Sequence, residues 1–249
     1  MKKMSTSIFE GIRILDIGHI VAGPFSASIL ADFGADVIKI ERPVAGDPLR
    51  WIYPKKGHGL WYKVGARNKQ SITLDLKKPE GREVFHKLAA VSDVVIENFR
   101  PGVMERLGND WATLSAVNPR LIMCRLSGYG QTGPFSKRRA YGRIAEAFSG
   151  FAHINGDASG PPSHPNMALG DTTAGNWAAM GIMMALYWRD ARGGTGQVID
   201  LALYEALYRQ FEPQIALVDQ LNKTQGREDR NSYAPYQDCF PTRDGRYFS

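Results

Sequence analysis

One carboxylate stands where it could do chemistry. In "ALGDTTAG" (168–175), Asp171 follows a loop rich in Pro and Gly and opens a long apolar run. Asp is a preferred helix N-cap, so "DTTAGNW" reads first as a cap on a helix over 172–190. Two features favour a second role. Ala168, Gly170, Ala174 and Gly175 are small, which would leave room for a ligand against the carboxylate. A helix N-terminus also favours the ionised form, lowering the pKa and keeping a carboxylate nucleophile available to attack an activated acyl group. Spacing leaves cap and nucleophile both open.

Other chemistry-bearing residues are less well placed. "DIGHIVAGPF" carries Gly18 and Gly23, and Glu41 ends the following strand, where a dinucleotide-binding protein would hold a ribose. The G-x-G-x-x-G fingerprint is absent, with bulky Ile20 and Val21 between the glycines, which argues against a nicotinamide cofactor. The backbone amides of that turn could still receive a phosphate or an adenine edge. His19, His58, His86, His153 and His164 make no metal-type spacing with a cysteine or carboxylate, so no metal site is expected. His86 reads as structural, and His19 is the histidine whose position suggests a site, with packing as its competing role. Ser127 and Ser149 precede glycines, but no G-x-S-x-G elbow exists.

The elements that must position these residues alternate. Strands are expected over 12–18, 36–42, 71–76, 93–99 and 120–128, with helices over 26–35 and 79–90 and short helices around 101–118. Pro79 suits a helix start and Gly34 a helix end. This predicts an α/β fold, an open Rossmann-like parallel sheet with both faces covered. Residues 51–69 look irregular, 141–151 predict one short helix, and "QVIDLAL" (197–203) runs into a further helix ending near Asn222. The expected layout is a large domain over 1–221, a linker over 222–232, and the truncated start of a second, smaller domain over 233–249.

Composition narrows the classes. The chain has 249 residues, 43% hydrophobic and 22% charged, as in ordinary soluble globular proteins. Cys124 and Cys239 fit no disulfide or metal spacing, which favours a reducing compartment. "MKKMSTSIFEG" has no apolar core behind its lysines, and the stretch 177–188 is too short to cross a bilayer. A cytoplasmic protein with no membrane partner is expected. The net charge of +6 implies an anionic partner, and its basic clusters are small and local, without the continuous stripe of a nucleic-acid binder. A phosphorylated small molecule fits better.

Seven landmarks in order carry a family resemblance: "ILDIGHIVAGPF", "GADVIKIERP", "GDPLR", "NKQSITLDLKKPEG", "VIENFRPGVMERLG", "NPRLIMCRLSGYGQTGP" and "ALGDTTAG". Together they span essentially the whole chain, which resembles the class III CoA-transferases, the family of formyl-CoA:oxalate CoA-transferase. The resemblance implies transfer of coenzyme A from an acyl-CoA to a carboxylic acid, with CoA as substrate and no tightly bound cofactor. It places the family's nucleophile on Asp171, which would form a mixed anhydride and then an aspartyl-CoA thioester. Family CoA contacts fall on Val21, Ala22, Arg42, Leu74, Lys77, Asn98, Phe99, Arg106, Arg139 and Tyr141, with Arg42, Lys77 and Arg106 suited to the nucleotide phosphates. It also implies a homodimer, interlocked in full-length members.

The chain departs from the pattern in places. Gly142 and Glu146 stand where many members have an acidic residue and a glutamine, and the stretch matching a glycine-rich closing loop, "NSYAPYQDCF" (231–240), holds no glycine. Formyl-CoA and oxalate are therefore not expected as substrates, and short dicarboxylic acids such as succinate are suggested instead. The related α-methylacyl-CoA racemases pair their aspartate with a histidine, at the position of Tyr141 here, which ranks an isomerase second. An inactive, truncated member of the family is the third reading. Which donor and acceptor acids are used, whether this form is active, and its oligomeric state stay open at this level.

Overall fold

A computed structural model describes residues 7–227 and 239–248. The chain opens with β1 (Arg13–Asp16), α1 (Ala22–Asp32) and β2 (Asp36–Glu41). A 3-10 turn (Pro48–Trp51), a hairpin of β3 (Pro54–Lys55) and β4 (His58–Gly59), and α2 (Leu60–Gly65) follow. Then come β5 (Lys69–Thr73), α3 (Pro79–Ala90), β6 (Val94–Glu97), α4 (Val103–Arg106), α5 (Trp111–Val117) and β7 (Ile122–Ser127). The last crossover holds α6 (Gly142–Phe148), α7 (Phe151–Ile154) and α8 (Leu169–Ala191), and leads to β8 (Gln197–Ala202). α9 (Leu203–Tyr208), α10 (Glu212–Leu221) and an antiparallel hairpin of β9 (Phe240–Pro241) and β10 (Tyr247–Phe248) end the description.

Six strands pair in the order β5-β2-β1-β6-β7-β8, every pair parallel. Parallel strands need crossovers, and the crossover helices cover both faces, so the inner strands β1, β6 and β7 are buried nearly throughout. On one face α1, α8 and α9 bury Ala27, Leu30, Ala178 and Ile182 against Ile14, Ile96 and Ile122. On the other, Phe85 and Ala89 of α3, Met104 of α4 and Leu114 of α5 pack on Leu15, Val95 and Met123. The expected Rossmann-like α/β sheet is the one observed.

Four local expectations change. Residues 51–69 include a short helix, α2, and a two-residue hairpin rather than only irregular chain. The helix expected over 141–151 is two, α6 and α7, broken at Gly150, whose φ of 93° no helix interior accommodates. The helix expected to run on to Asn222 is interrupted after Tyr208, and α10 restarts with Pro213 in its first turn. α8 begins at Leu169, three residues before the expected start, which moves Asp171 inside the helix. Residues 228–232 of the expected linker, 231–238 of the glycine-free loop and 233–238 of the expected second domain lie outside the described residues. Among the described residues no helix is long and apolar enough to cross a membrane, and no cluster of His, Cys, Asp and Glu could hold a metal ion.

Candidate functional site

β1 is the pivot of the sheet. It pairs with β2 on one side and β6 on the other, so the connections leaving β1 and β6 diverge and open a crevice at their carboxyl ends. Two loops line it, residues 17–21 and 98–102. Asn98 clamps the first loop by accepting from His19 N–H at 2.7 Å and donating to His19 C=O at 2.8 Å. A Cβ on Gly18 would lie 3.0 Å from Asn98 Oδ1 and 3.0 Å from Pro24 Cδ, so that position is tight for any side chain. Ile20 adopts φ of 65°, rare for a β-branched residue, and is held there by its N–H donating to Asp47 Oδ2 at 3.2 Å.

Beneath the loop is a buried charge network. Lys39 Nζ lies 3.4 Å from Asp16 Oδ1 and 3.2 Å from Asp47 Oδ2, and donates to Gly18 C=O. Lys69 Nζ lies 2.9 Å from Asp16 Oδ2 and donates to Pro24 C=O at 2.6 Å. The register sets this up, since Asp16 sits opposite Lys39 on adjacent strands. Burial alone would raise the Asp16 carboxyl, but the two ammonium groups and Gly18 N–H hold it below its ordinary value. These charges shape the loop from below.

Two cavities occupy the crevice, one of about 620 Å³ and one of about 540 Å³, sharing His19, Arg42 and Arg100 in their walls. Val21, Ala22, Arg42, Asn98, Arg139, Tyr141 and Asp171 line the first. Arg42, Leu74, Lys77 and Phe99 line the second. Arg106 lines neither; it is exposed on α4, between Val103 and Leu107, which do line the second cavity. The Asn98 side chain is committed to clamping the loop. α1 starts without a side-chain cap, and helix N-terminal N–H groups of that kind suit an anion where Val21 and Ala22 face the cavity.

His19, the one histidine singled out by position, does reach both cavities. Its ring meets Phe99 edge-on at 5.0 Å, and burial, reinforced by the Lys39 ammonium, holds its pKa below the ordinary value. His86 is structural, with Nε2 at 2.9 Å from Asn109 Oδ1 and 3.2 Å from Gly108 O. Glu41, a possible ribose ligand by position, is occupied instead. It accepts from Arg50, Tyr62, Ser71 and the Asp47 N–H, anchoring the 47–62 excursion, and these bonds hold it at about 2 against the opposing effect of burial.

Asp171 reaches the site by topology. α8 runs back from the carboxyl end of β7 toward the start of β8, so its first turn lies at the same end of the sheet as the β1 loop. Ala168 is the N-cap residue and Asp171 makes no capping bond, so the cap reading of Asp171 is wrong; it sits in the first turn. Of the four small neighbours, Ala168 does line the first cavity beside Asp171, and the other three act differently from the expectation. Gly170 packs on the backbone of Gly142, Gly175 on Phe25 and Ala22 O, and Ala174 is in the core. They seat α8 against α6 and α1; room for a ligand comes from the cavity in front.

Among the described residues no side chain hydrogen-bonds or ion-pairs with the Asp171 carboxylate. It lies over Gly142, where a Cβ would overlap Oδ2, so the glycine that departs from the family pattern is the one this packing requires. Burial first and the nearby Glu146 charge second raise the Asp171 carboxyl to about 6, the reverse of the lowering expected from the helix N-terminus. Desolvation outweighs the dipole here. At neutral pH such a group is still largely ionised, yet poorly solvated, as a nucleophile or base should be.

Composition and spacing did not single out Arg100, Arg143 and His164, and Glu146 entered only as a departure. Arg100, Arg143 and Glu146 line the first cavity, and His164 bonds to Glu146. The available signal was a charge inside otherwise apolar segments: Glu146 in "IAEAF", as Asp16 in "RILDIG" and Lys39 in "DVIKIE". The loop leading to Tyr141 is secured by an aromatic group, with Tyr129 and Tyr204 both edge-on to Phe148 at 5.0 and 4.9 Å. Tyr141 itself is 67% exposed.

Comparison with known proteins gives a consistent picture. Residues 9–249 match the model of CoA-transferase family III. The chain is 43% identical over 244 residues to succinyl-CoA–D-citramalate CoA-transferase of Chloroflexus aurantiacus, covering 96% of this chain and 60% of the relative. It is 38% identical to human succinyl-CoA:glutarate CoA-transferase, covering 95% of this chain and 54% of the relative. Among solved structures, a CAIB/BAIF family protein from Brucella suis superposes with a TM-score of 0.89 at 34% identity, covering 98% of this chain and 65% of that one. The chain thus spans little more than half the length of these curated relatives.

Proposed function

The chain belongs to CoA-transferase family III, and from there we propose that it carries the CoA-binding and nucleophile-bearing part of an acyl-CoA:carboxylate CoA-transferase, with Asp171 as the catalytic residue. One observation carries this reading: a largely buried carboxylate, unpaired among the described residues, opens into a cavity that meets a second one lined by Leu74, Lys77 and Phe99. An acyl-CoA is long, anionic at one end and reactive at the other. The pantetheine arm would lie in the first cavity and the adenine against Leu74 and Phe99 in the second. Arg42 and Arg100, at the junction, and Lys77 would meet the phosphates as charge-assisted donors, with Arg106 at the rim.

The chemistry then runs through Asp171. An ionised Oδ attacks the thioester carbonyl carbon, the C–S bond breaks, and CoA thiolate leaves a mixed anhydride on the protein. The thiolate attacks the Asp171 carbonyl carbon and expels the donor acid as a carboxylate, forming an aspartyl-CoA thioester. An acceptor carboxylate attacks that thioester, releasing the thiolate and giving a second anhydride. The thiolate finally takes the acceptor acyl group and restores the Asp171 carboxylate. The sequence conserves charge and redox state, so CoA is a substrate and no tightly bound cofactor is required.

For the acids we propose short dicarboxylates with succinyl-CoA as donor. The named relatives use succinyl-CoA with citramalate or glutarate, and Arg139 and Arg143 put cations on the wall beside Asp171 for a second carboxylate. A homodimer, with the described sheet as its large domain over 1–221, a linker over 222–232 and a second domain starting at 233, completes the proposal. The test uses the full natural chain, succinyl-CoA and hydroxylamine, followed by digestion and mass spectrometry. A hydroxamate on Asp171 is expected. Its absence with every short acyl-CoA tried, in protein that binds CoA, would sink the assignment.

A further inference from the structure

Glu146 has no exposed surface and yet takes no part in the chemistry above. Its carboxylate gathers donors from three segments. Oε1 accepts from Gly170 N–H at 3.1 Å, and Oε2 accepts from Arg143 Nη1 at 3.2 Å and lies 2.7 Å from His164 Nδ1. The Gly170 N–H is one of the donors that the start of α8 leaves without an intrahelical partner, and α8 has no side-chain cap of its own. Glu146 therefore caps the nucleophile's helix from a different helix, one residue before Asp171.

The two helices are joined at a second point. The Asp171 carboxylate rests on Gly142, one turn before Glu146 on α6, while Gly170 packs on the Gly142 backbone, where a Cβ would lie 2.7 Å from its carbonyl oxygen. α6 thus acts as a platform with Gly142 under the nucleophile and Glu146 beneath the turn that carries it. The charged and titratable groups facing Glu146 are Arg143 from α6, His164 from the loop before α8, and Asp171 from α8 itself. Arg143 also donates to Pro165 C=O, so its guanidinium is oriented from both sides.

We propose that Glu146 is the positioning residue for Asp171: it fixes the first turn of α8 through Gly170 N–H and sets a negative charge beside the nucleophile, offset by Arg143. Its catalytic meaning rests on Asp171 being the nucleophile. The charge opposes ionisation of Asp171, in line with the raised value, and makes the carboxylate a more basic attacking group. Arg143, paired with Glu146 Oε2, limits that effect.

Position and charge separate by substitution. Glu146→Gln keeps an oxygen for Gly170 N–H and removes the charge; Glu146→Ala removes both. Asp171 is followed in the full natural chain by carboxyl ¹³C NMR titration, assigned with Asp171→Asn, so the readout does not depend on turnover. In Glu146→Gln the Asp171 midpoint should fall by about 0.5–2 pH units, as expected for loss of one nearby charge. In Arg143→Gln it should rise, because the Glu146 charge is then less compensated. At pH 8, where Asp171 is ionised in every variant, hydroxamate formation should be slowed at least tenfold by Glu146→Ala and much less by Glu146→Gln. A residue that serves only packing would leave the midpoint in place, and an unmoved or raised midpoint in Glu146→Gln overturns the proposal. Failure of hydroxamate trapping in the unsubstituted protein, with the midpoints moving as stated, would count against the nucleophile and not against the effect of Glu146 on it.

Discussion

Asp16 and Asp171 are carboxylates withdrawn from water at the same end of one sheet, and they are treated in opposite ways. Asp16 is fully buried and lies against Lys39, Lys69 and Gly18 N–H, and its carboxyl stays below the ordinary value despite burial. Asp171 has no such partner among the described residues, and burial together with Glu146 lifts it to about 6. A buried carboxylate with its donors in place is a structural part, because its charge is already neutralised locally. One left without them and facing a cavity keeps its charge available for an incoming group. The contrast separates the floor that shapes the β1 loop from the group that the loop and α8 present.

The largest expected effect tests the unpaired side of that contrast. Asp171→Asn should lower transfer by about 10⁴-fold or more while leaving CoA binding by calorimetry nearly unchanged. The same substitution should stabilise the protein at pH 7 by about 1–3 kcal/mol, since a carboxylate costly to ionise is gone. The sign follows from linkage. A folded value of about 6 against an ordinary 3.8 means that Asp171 favours the fold at acid pH and loses that contribution as pH rises through 6. The stabilisation in Asp171→Asn should therefore vanish below about pH 3.8, as read by chemical denaturation across pH.

Asp16→Asn should behave in the reverse way, destabilising by about 3–5 kcal/mol because two buried ammonium groups lose their shared partner. The lowered value places its stabilising contribution above 3.8, to be lost as pH falls, so acid should narrow the gap between variant and wild type. Equal stability of the two proteins at pH 7 would remove the distinction drawn here. A smaller effect is expected from Gly142→Ala, whose methyl would collide with Asp171 Oδ2; transfer should fall about 10- to 100-fold with CoA affinity retained. The smallest is for Arg42→Ala and Lys77→Ala, each expected to weaken CoA binding about tenfold while the rate at saturating acyl-CoA changes little.

The strand–helix alternation was legible in the sequence because parallel strands buried on both faces must be short apolar β-branched runs, as "DVVIENF" and "RLIMCRLSG" are. α3 was found with its exact bounds, since Pro79 marks its start. Breaks were harder to see. Gly150 and the chain after Tyr208 interrupt apolar runs whose periodicity continues across them, and the break follows from how α6, α7, α9 and α10 fold back on the sheet. Nine of the ten candidate CoA contacts line one of the two cavities and Arg106 does not, because α4 turns its side chain outward between two residues that face in.

From residue order alone came the fold class, the family and the single carboxylate most worth watching, because each depends on local pattern: apolar period, turn residues and seven motifs in a row. The state of that carboxylate came from three dimensions. Spacing alone puts the carboxylate at a helix N-terminus, which lowers a pKa, among small neighbours that leave room for a ligand; in the folded chain burial and Glu146 raise the pKa, and Gly170 and Gly175 pack on α6 and α1 while Ala168 lines the cavity. Desolvation and the approach of a charge 25 positions away in sequence depend on how helices pack, and no spacing along the chain encodes them.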